Sequence, residues 1–361
     1  VTPSAVLVVR TADEPSAHPA TLRLLDLLEH GWDAHLVCEG DSGTGRWLDE
    51  LPPDARERLV HLPQGRGLGS RSGASRLAEL RPDVVHVPSA TLARGWNELT
   101  HGLGASLAVT LGGDDLDGLG LEPESDGEVW RRADGFHLES AQLDLLGRRS
   151  GRPDLPVAVI APLPDQELLE AATPERWENP TLRVLGIGPL SWSRGYEFTL
   201  RAVRLLDERG VDCEYRIVGQ GEFVDAVAFA RHQLGLDGRV ELVEPGTRTD
   251  LRQHLRWADV LLNGAVTPTS PKPVLDAWAS GLAVITTEPP PDGEEAVVVV
   301  PRRDSEAIAN EVARLAQDPA RRRRLGEAGR SRAVRASRGY RLSGFRDLYG
   351  LLLERRTGGG A

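Results

Sequence analysis

The chain has 361 residues, enough for two domains that each bury a core. Its 43 Lys and Arg against 54 Asp and Glu leave a formal net charge of −11, which argues against nucleic acid as a partner. No apolar run of roughly 18 residues occurs, so no membrane span is expected. The opening VTPSAVLVVR lacks the basic start and longer apolar run of a secretory signal, and a cytoplasmic location is expected. Cys38 and Cys213 sit in apolar runs in different halves, as two lone buried thiols would.

In chain order, the first half offers strands at Ala5–Val9, Ala34–Cys38, Val84–Val87, Ser106–Thr110 and Val157–Ile160. The second half offers Arg183–Gly186, Tyr215–Val218, Val240–Val243, Asp259–Leu262, Ala283–Thr286 and Val297–Val300. Such unalternated apolar runs suit parallel strands covered on both faces. Helical stretches lie between them; in Tyr196–Arg209 the residues Tyr196, Leu200, Val203 and Leu206 share one face. Alternating β and α units, laid out twice, predict an α/β protein of two doubly wound parallel sheets with a deep cleft between them. Residues 1–162 are read as the first domain, 163–180 as a proline-rich linker and 181–336 as the second domain. Phe345, Leu348, Tyr349 and Leu352 recur at helical spacing and predict a final amphipathic helix over 337–356. The Gly-rich tail 357–361 is expected to be disordered.

Ligands of doubly wound sheets bind beyond the carboxyl ends of the strands, so the loops there are the candidate sites. Gly186-Ile-Gly188-Pro-Leu-Ser-Trp-Ser-Arg194-Gly195 opens the Tyr196 helix; glycines and a helix N-terminus suit a phosphate, and Arg194 can add a fixed positive charge. Gly219 and Gly221 follow the Tyr215 strand, either as a tight turn or as a close backbone approach to a nucleotide. Thr267-Pro-Thr-Ser270-Pro-Lys272-Pro-Val-Leu-Asp276 follows the Asp259 strand and is expected to start a helix at Pro273. Lys272, the sole lysine of the chain, can meet an anion there, and Asp276 can accept hydrogen bonds from sugar hydroxyls. The plain alternative is a solvated Lys272 and a first-turn acid favoured by the helix dipole. In the first half, Thr110-Leu-Gly112-Gly113-Asp114-Asp115 faces the cleft, and His86 lies on a strand as a core histidine or a base. Adjacent acids in such a loop suit hydroxyls, a metal or no ligand; a lone Asp-Asp pair is poor evidence for a metal, and none is expected.

Together these loops resemble the family 4 retaining glycosyltransferases of the GT-B fold, most clearly over Leu182–Ala333. VLGIGPLSWSRGYEFTLRAVRLLDERGVDCEYRIVGQGE is similar to that family's first donor-domain strand, helix and Val-Gly-x-Gly turn. DAWASGLAVITT resembles its Glu-Ala-x-Ala-x-Gly-x-Pro-Val-x-x-Thr, while PDVVHV, TLGGDDL and WRRADGFHLES in the first half are looser matches. The departures are specific. The family's loop arginine is Pro189 here, though its second basic position is kept as Arg194; its first donor glutamate is Pro268 and its second is Asp276. Its Gly-Phe-Gly segment is Thr269-Ser270-Pro271, and Pro271 has no N–H to offer; its acceptor-side histidine corresponds to Gly112.

The resemblance implies a metal-independent glycosyltransferase with no tightly bound cofactor. It would move a sugar, with retention, from a nucleotide-diphosphate donor to a glycan, lipid or natural-product acceptor. Gly188, Arg194, Gly219, Gly221, Ser270, Lys272 and Asp276 would serve the donor, with Arg194 and Lys272 the candidates for catalysis. Gly113, Asp115 and His86 would lie on the acceptor side, in a Rossmann-like first domain to which the last helix crosses back. The alternative is an inactive pseudo-glycosyltransferase that stabilises an active transferase as its protein partner.

Overall fold

A computed structural model of the protein describes residues 2–9, 17–39, 51–62, 71–112, 129, 131–141, 152, 154–173, 181–288, 294–340 and 342–358. It comprises two compact units, one of Val1–Ala161 with Arg341–Ala361 and the other of Pro162–Tyr340.

Among the described residues of the first unit, the strands are β1 (Ser4–Val9), β2 (Asp33–Glu39), β3 (Leu59–Leu62), β4 (Val84–Val87), β5 (Ser106–Leu111), β6 (Gly135–Leu138) and β7 (Val157–Val159). They pair in parallel in the order β3-β2-β1-β4-β5-β6-β7, joined by helices that include α1 (Ala17–Glu29), α2 (Pro53–Glu57), α3 (Arg71–Leu80) and α4 (Ala90–Gly102). β1 and β5 are buried at every position, which is why they read as unbroken apolar runs. The sequence reading passes over β3 and β6. Each is four residues long, LVHL and GFHL; β4 also carries a histidine in its third place, but its other three residues are all valine, a stronger strand former.

The second unit repeats the scheme with β8 (Leu182–Ile187), β9 (Cys213–Val218), β10 (Val240–Val243), β11 (Val260–Asn263), β12 (Ala283–Thr286) and β13 (Val298–Val299), ordered β10-β9-β8-β11-β12-β13. Its helices include α5 (Gln166–Glu170), α6 (Tyr196–Glu208), α7 (Val224–Gln233), α8 (Arg248–Trp257), α9 (Lys272–Ala279), α10 (Ser305–Gln317) and α11 (Pro319–Arg338). Strand residues alternate between two apolar layers. Val184, Val260 and Ile285 pack with Leu200, Val203 and Leu206, while Leu185, Leu261 and Val284 pack with Val274 and Trp278. Each sheet reverses its strand order once, between β1 and β4 and between β8 and β11. At such a reversal the connections leave in opposite directions and open a crevice beyond the strand ends.

Several boundaries differ from the sequence reading by a residue or more, among them these two. α9 starts at Lys272 rather than Pro273, because Pro271 takes the cap position and Pro273 falls in the first turn. The stretch expected as linker is partly built into the second unit. Asp165 caps α5 by accepting the Leu168 N–H at 3.2 Å, and Arg330 of α11 donates to the carbonyls of Leu168, Leu169, Ala171 and Ala279. One guanidinium thereby satisfies carbonyls that a short helix would leave orphaned.

The last helix, α12 (Ser343–Gly358), belongs to the first unit and buries Phe345, Leu348, Tyr349 and Leu352. It runs to Gly358, past the point where the tail was expected to begin. Gly135 of β6 admits it closely, since a Cβ there would come within 3.1 Å of Leu352 and 3.3 Å of Leu348. A buried polar chain completes the attachment. The Tyr349 hydroxyl meets His86 Nδ1 at 2.6 Å, and His86 Nε2 meets Thr110 Oγ1 at 2.8 Å. Thr110 Oγ1 in turn meets His137 Nδ1 at 3.0 Å, and His137 Nε2 meets the Ile160 carbonyl at 2.9 Å.

The far end of this chain sets its direction. A carbonyl only accepts, so His137 carries its proton on Nε2 and, when neutral, accepts from Thr110 at Nδ1. Thr110 then accepts from His86 Nε2–H, and His86 Nδ1 accepts from Tyr349. Both rings must be neutral for this pattern. Burial, with the Arg23 guanidinium nearby, lowers His86 well below the ordinary histidine value and pushes His137 down to about 3. Arg23 donates to His86 Nδ1 at 3.2 Å and lies over the Phe345 ring, which sets a positive charge beside the pair and disfavours its charged form.

Because both histidines bind their protons more weakly when folded, the unfolded chain takes up more protons below about pH 6.5. Their contribution to stability is therefore complete above that pH and is lost as pH falls towards the folded values. Urea unfolding of the intact protein should show stability falling between about pH 6.5 and pH 5, by up to about 1.4 kcal/mol per pH unit for each histidine. A flat profile over that window would contradict the assignment.

Candidate functional site

The chain leaves β8 at the point where the second sheet reverses its order. Gly188 there has φ of +143°, and a Cβ would lie 2.7 Å from Cζ of Arg194, so only glycine admits the arginine beside it. Arg194 closes a short 3-10 turn, Trp192–Arg194, and is 5% exposed. Gly195, at φ of +64°, then turns the chain into α6, whose Tyr196 hydroxyl donates to the Gly188 carbonyl at 3.1 Å. The result is a buried cation held against bare backbone at the head of a helix.

Gly219 and Gly221, after β9, serve this loop. The Gly188 N–H bonds the Val218 carbonyl at 3.1 Å and the Leu190 N–H bonds the Gln220 carbonyl at 2.9 Å. A Cβ at Gly219 would fall on the Gly188 carbonyl oxygen, and one at Gly221 would sit 2.6 Å from that of Leu190. Of the two readings left open for these glycines, the geometry favours the tight turn: their missing side chains make room for neighbouring backbone.

The loop after β11 carries Ser270, whose hydroxyl accepts the Lys272 N–H at 3.3 Å just past the Pro271 cap. Lys272 does not stand free to meet an anion. Its ammonium donates to both carboxylate oxygens of Asp276, one turn along α9. Asp276 is buried and also accepts the Asp165 N–H at 2.9 Å. Burial pushes its pKa up against the pull of Lys272, and the neighbouring Asp165 carboxylate adds to the rise. Burial would raise Asp165 as well, but Arg252, at 3.0 Å, and Arg248 hold it below the ordinary value. Lys272 and Asp276 thus belong to one neutralised cluster.

Glu288, at the end of β12, is a polar residue the sequence reading did not single out. It is half-buried, and its Oε2 accepts the Thr269 N–H at 3.1 Å. Burial raises its pKa, while the Thr269 N–H, Arg302 and Arg194 pull it back, so Arg194 and Glu288 feel each other's charge. The signal was present in AVITTE, an acid directly after an apolar strand, where ligand-facing residues belong.

On the acceptor side, His86 is 2% exposed and both of its ring nitrogens are bonded within the first unit, which leaves neither for a substrate. Gly112 ends the described part of its loop; Gly113 and Asp115 lie outside the described residues.

Two parallel-sheet α/β units, each with one reversal of strand order, define the GT-B fold, and solved structures agree over nearly the whole chain. HepE of Anabaena, in complex with UDP and glucose, matches with a TM-score of 0.69 at 13% identity, covering 98% of this chain and 99% of that one. Sucrose-phosphate synthase of Thermosynechococcus elongatus matches with a TM-score of 0.69 at 15% identity, covering 99% and 100%. Residues 181–318 match the model of the family glycosyl transferases group 1. Over 150 residues the chain is 28% identical to the amylovoran biosynthesis glycosyltransferase AmsK of Erwinia amylovora, covering 38% of this chain and 37% of AmsK. The match thus spans little more than a third of that relative's length.

Two substitutions test the geometry. Gly219→Ala should destabilise the protein by about 1–3 kcal/mol through overpacking, read as a lowered urea midpoint. Lys272→Ala should cost about 1–3 kcal/mol, because it leaves a buried carboxylate without its cation. Lys272→Ala together with Asp276→Ala should recover part of that loss. A double variant whose loss equals the sum of the Lys272→Ala and Asp276→Ala losses would show that the two residues act independently.

Proposed function

We propose that the protein is a retaining glycosyltransferase whose second unit binds a nucleotide-diphosphate sugar and whose first unit recognises a glycan, lipid or small-molecule acceptor. The observation that carries this reading is Arg194, a buried guanidinium seated against Gly188 at the reversal point of a group 1 glycosyltransferase domain. Breaking a sugar–diphosphate bond leaves negative charge on the departing phosphate. A preorganised cation stabilises that charge most where water is excluded. The N–H groups at the head of α6 add a favourable dipole in the same place. With these groups the charge is met by protein rather than by a metal, and the leaving phosphate can itself take the acceptor proton.

Retention rests on the resemblance to retaining enzymes. A UDP donor is the first to test, because HepE was solved with UDP-glucose and matches this chain with a TM-score of 0.70 at 14% identity. Asp276 is the acid of α9 itself, and its pairing with Lys272 sets the cost a ligand must meet to engage it.

Calorimetric titration with UDP, GDP and their hexose conjugates should give binding of one nucleotide, strengthened by one sugar. Arg194→Ala should weaken the nucleotide by about 10-fold or more, as expected for loss of a charge-assisted contact to phosphate. Failure of the intact protein to bind any of these ligands would sink the proposal.

A further inference from the structure

β8, β11 and β12 end side by side, and the loops after them converge. The loop after β8 supplies Arg194. The loop after β11 supplies two unusual features. Thr267 has a buried hydroxyl with no hydrogen-bond partner among the described residues, and the Thr269 N–H points to a side chain 19 residues away. That side chain is Glu288, from the loop after β12.

Glu288 is fixed from both ends. Its backbone N–H donates to Thr286 Oγ1 at 3.1 Å, and that hydroxyl donates to the Glu288 carbonyl at 3.0 Å. Its carboxylate is held through Oε2 by Thr269. The other oxygen, Oε1, makes no hydrogen bond to a described residue. A carboxylate oxygen outside the protein's own hydrogen bonds can accept a donor that a ligand brings. Pro268, the neighbour of Thr269, has no polar side chain to compete for that donor.

An unserved carboxylate oxygen within the field of a buried arginine, with an unserved hydroxyl in the loop after β11, complements a polyol attached to a phosphate. The hydroxyls of such a ligand donate to the carboxylate while its phosphate meets the cation. We propose that Glu288 is a specificity-determining residue that binds a hydroxyl of the sugar carried by the donor nucleotide, with Thr267 as its second polar contact. This rests on the donor reading above, whose test is nucleotide binding. The present test is the additional affinity conferred by the sugar.

The experiment compares intact wild-type protein with Glu288→Gln and Glu288→Ala, titrating UDP and GDP against their hexose conjugates. Glutamine keeps an acceptor for the Thr269 N–H and removes only the charge, so its fold should be preserved, as circular dichroism and the urea midpoint would verify. Nucleotide affinity should stay within about threefold of wild type in Glu288→Gln, while the gain in affinity from the sugar falls by about 10-fold. In Glu288→Ala that gain should vanish. Undiminished sugar-dependent affinity in both variants would overturn the assignment. So would equal losses for nucleotide and conjugate, because these would mark Glu288 as a support for the phosphate end. If wild type binds neither nucleotide nor conjugate, the donor reading fails and this inference falls with it.

Discussion

Where the chain leaves β8 it must thread between two other loops with no room for side chains. Gly188 lies under the glycine turn after β9, and Gly195 packs its Cα against the Gly264 carbonyl after β11. Backbone therefore meets backbone on both sides, tied by the bonds from Gly188 to Val218, from Leu190 to Gln220 and from Val266 to Ser193. Arg194 is the side chain enclosed by this packing. Its position is bounded by this close packing of backbone, and the loops that offer polar groups to a ligand all lean on that arrangement.

The charges of the second unit sort into two groups around this frame. Lys272, Asp276, Asp165, Arg252 and Arg248 satisfy one another, and the buried acids among them are tolerable only because cations and a backbone N–H face them. Arg194 and Glu288 form a looser association, with one carboxylate oxygen left over. A closed cluster stabilises a fold, whereas a polar group left incomplete at a strand end offers a ligand something to complete. Residues from the same loops thus divide between holding the structure and serving a site.

In the first unit the corresponding device is the chain from Tyr349 through His86, Thr110 and His137 to Ile160. It links the final helix to β4, β5 and β6 by bonds that work in only one direction. Neutral imidazoles can pass hydrogen bonds along such a line because each accepts at one nitrogen and donates at the other. The same property makes His86 a poor base for chemistry: its acceptor nitrogen already faces Tyr349 and Arg23.

The architecture was legible because a parallel strand covered on both faces needs an apolar run, and such runs are local. Val84–Val87 and Ala283–Thr286 were read with the bounds they have as β4 and β12. The face of α6 that carries Tyr196, Leu200, Val203 and Leu206 is buried as its periodicity required. β6, with a glycine and a histidine among its four residues GFHL, lacked that signal. What partners a polar residue was not local. The Asp165 N–H that reaches Asp276 is 111 residues away, the Tyr349 hydroxyl on His86 is 263 away, and the acid that meets Thr269 comes from the end of another strand. Apolar burial depends on spacing along the chain, so the sequence by itself determined the two sheets and the helices that cover them. Hydrogen bonds and ion pairs depend on which ends the sheet order brings together, so only the tertiary structure decided that Lys272 is neutralised, that His86 is structural and that Glu288 is left with an oxygen to offer.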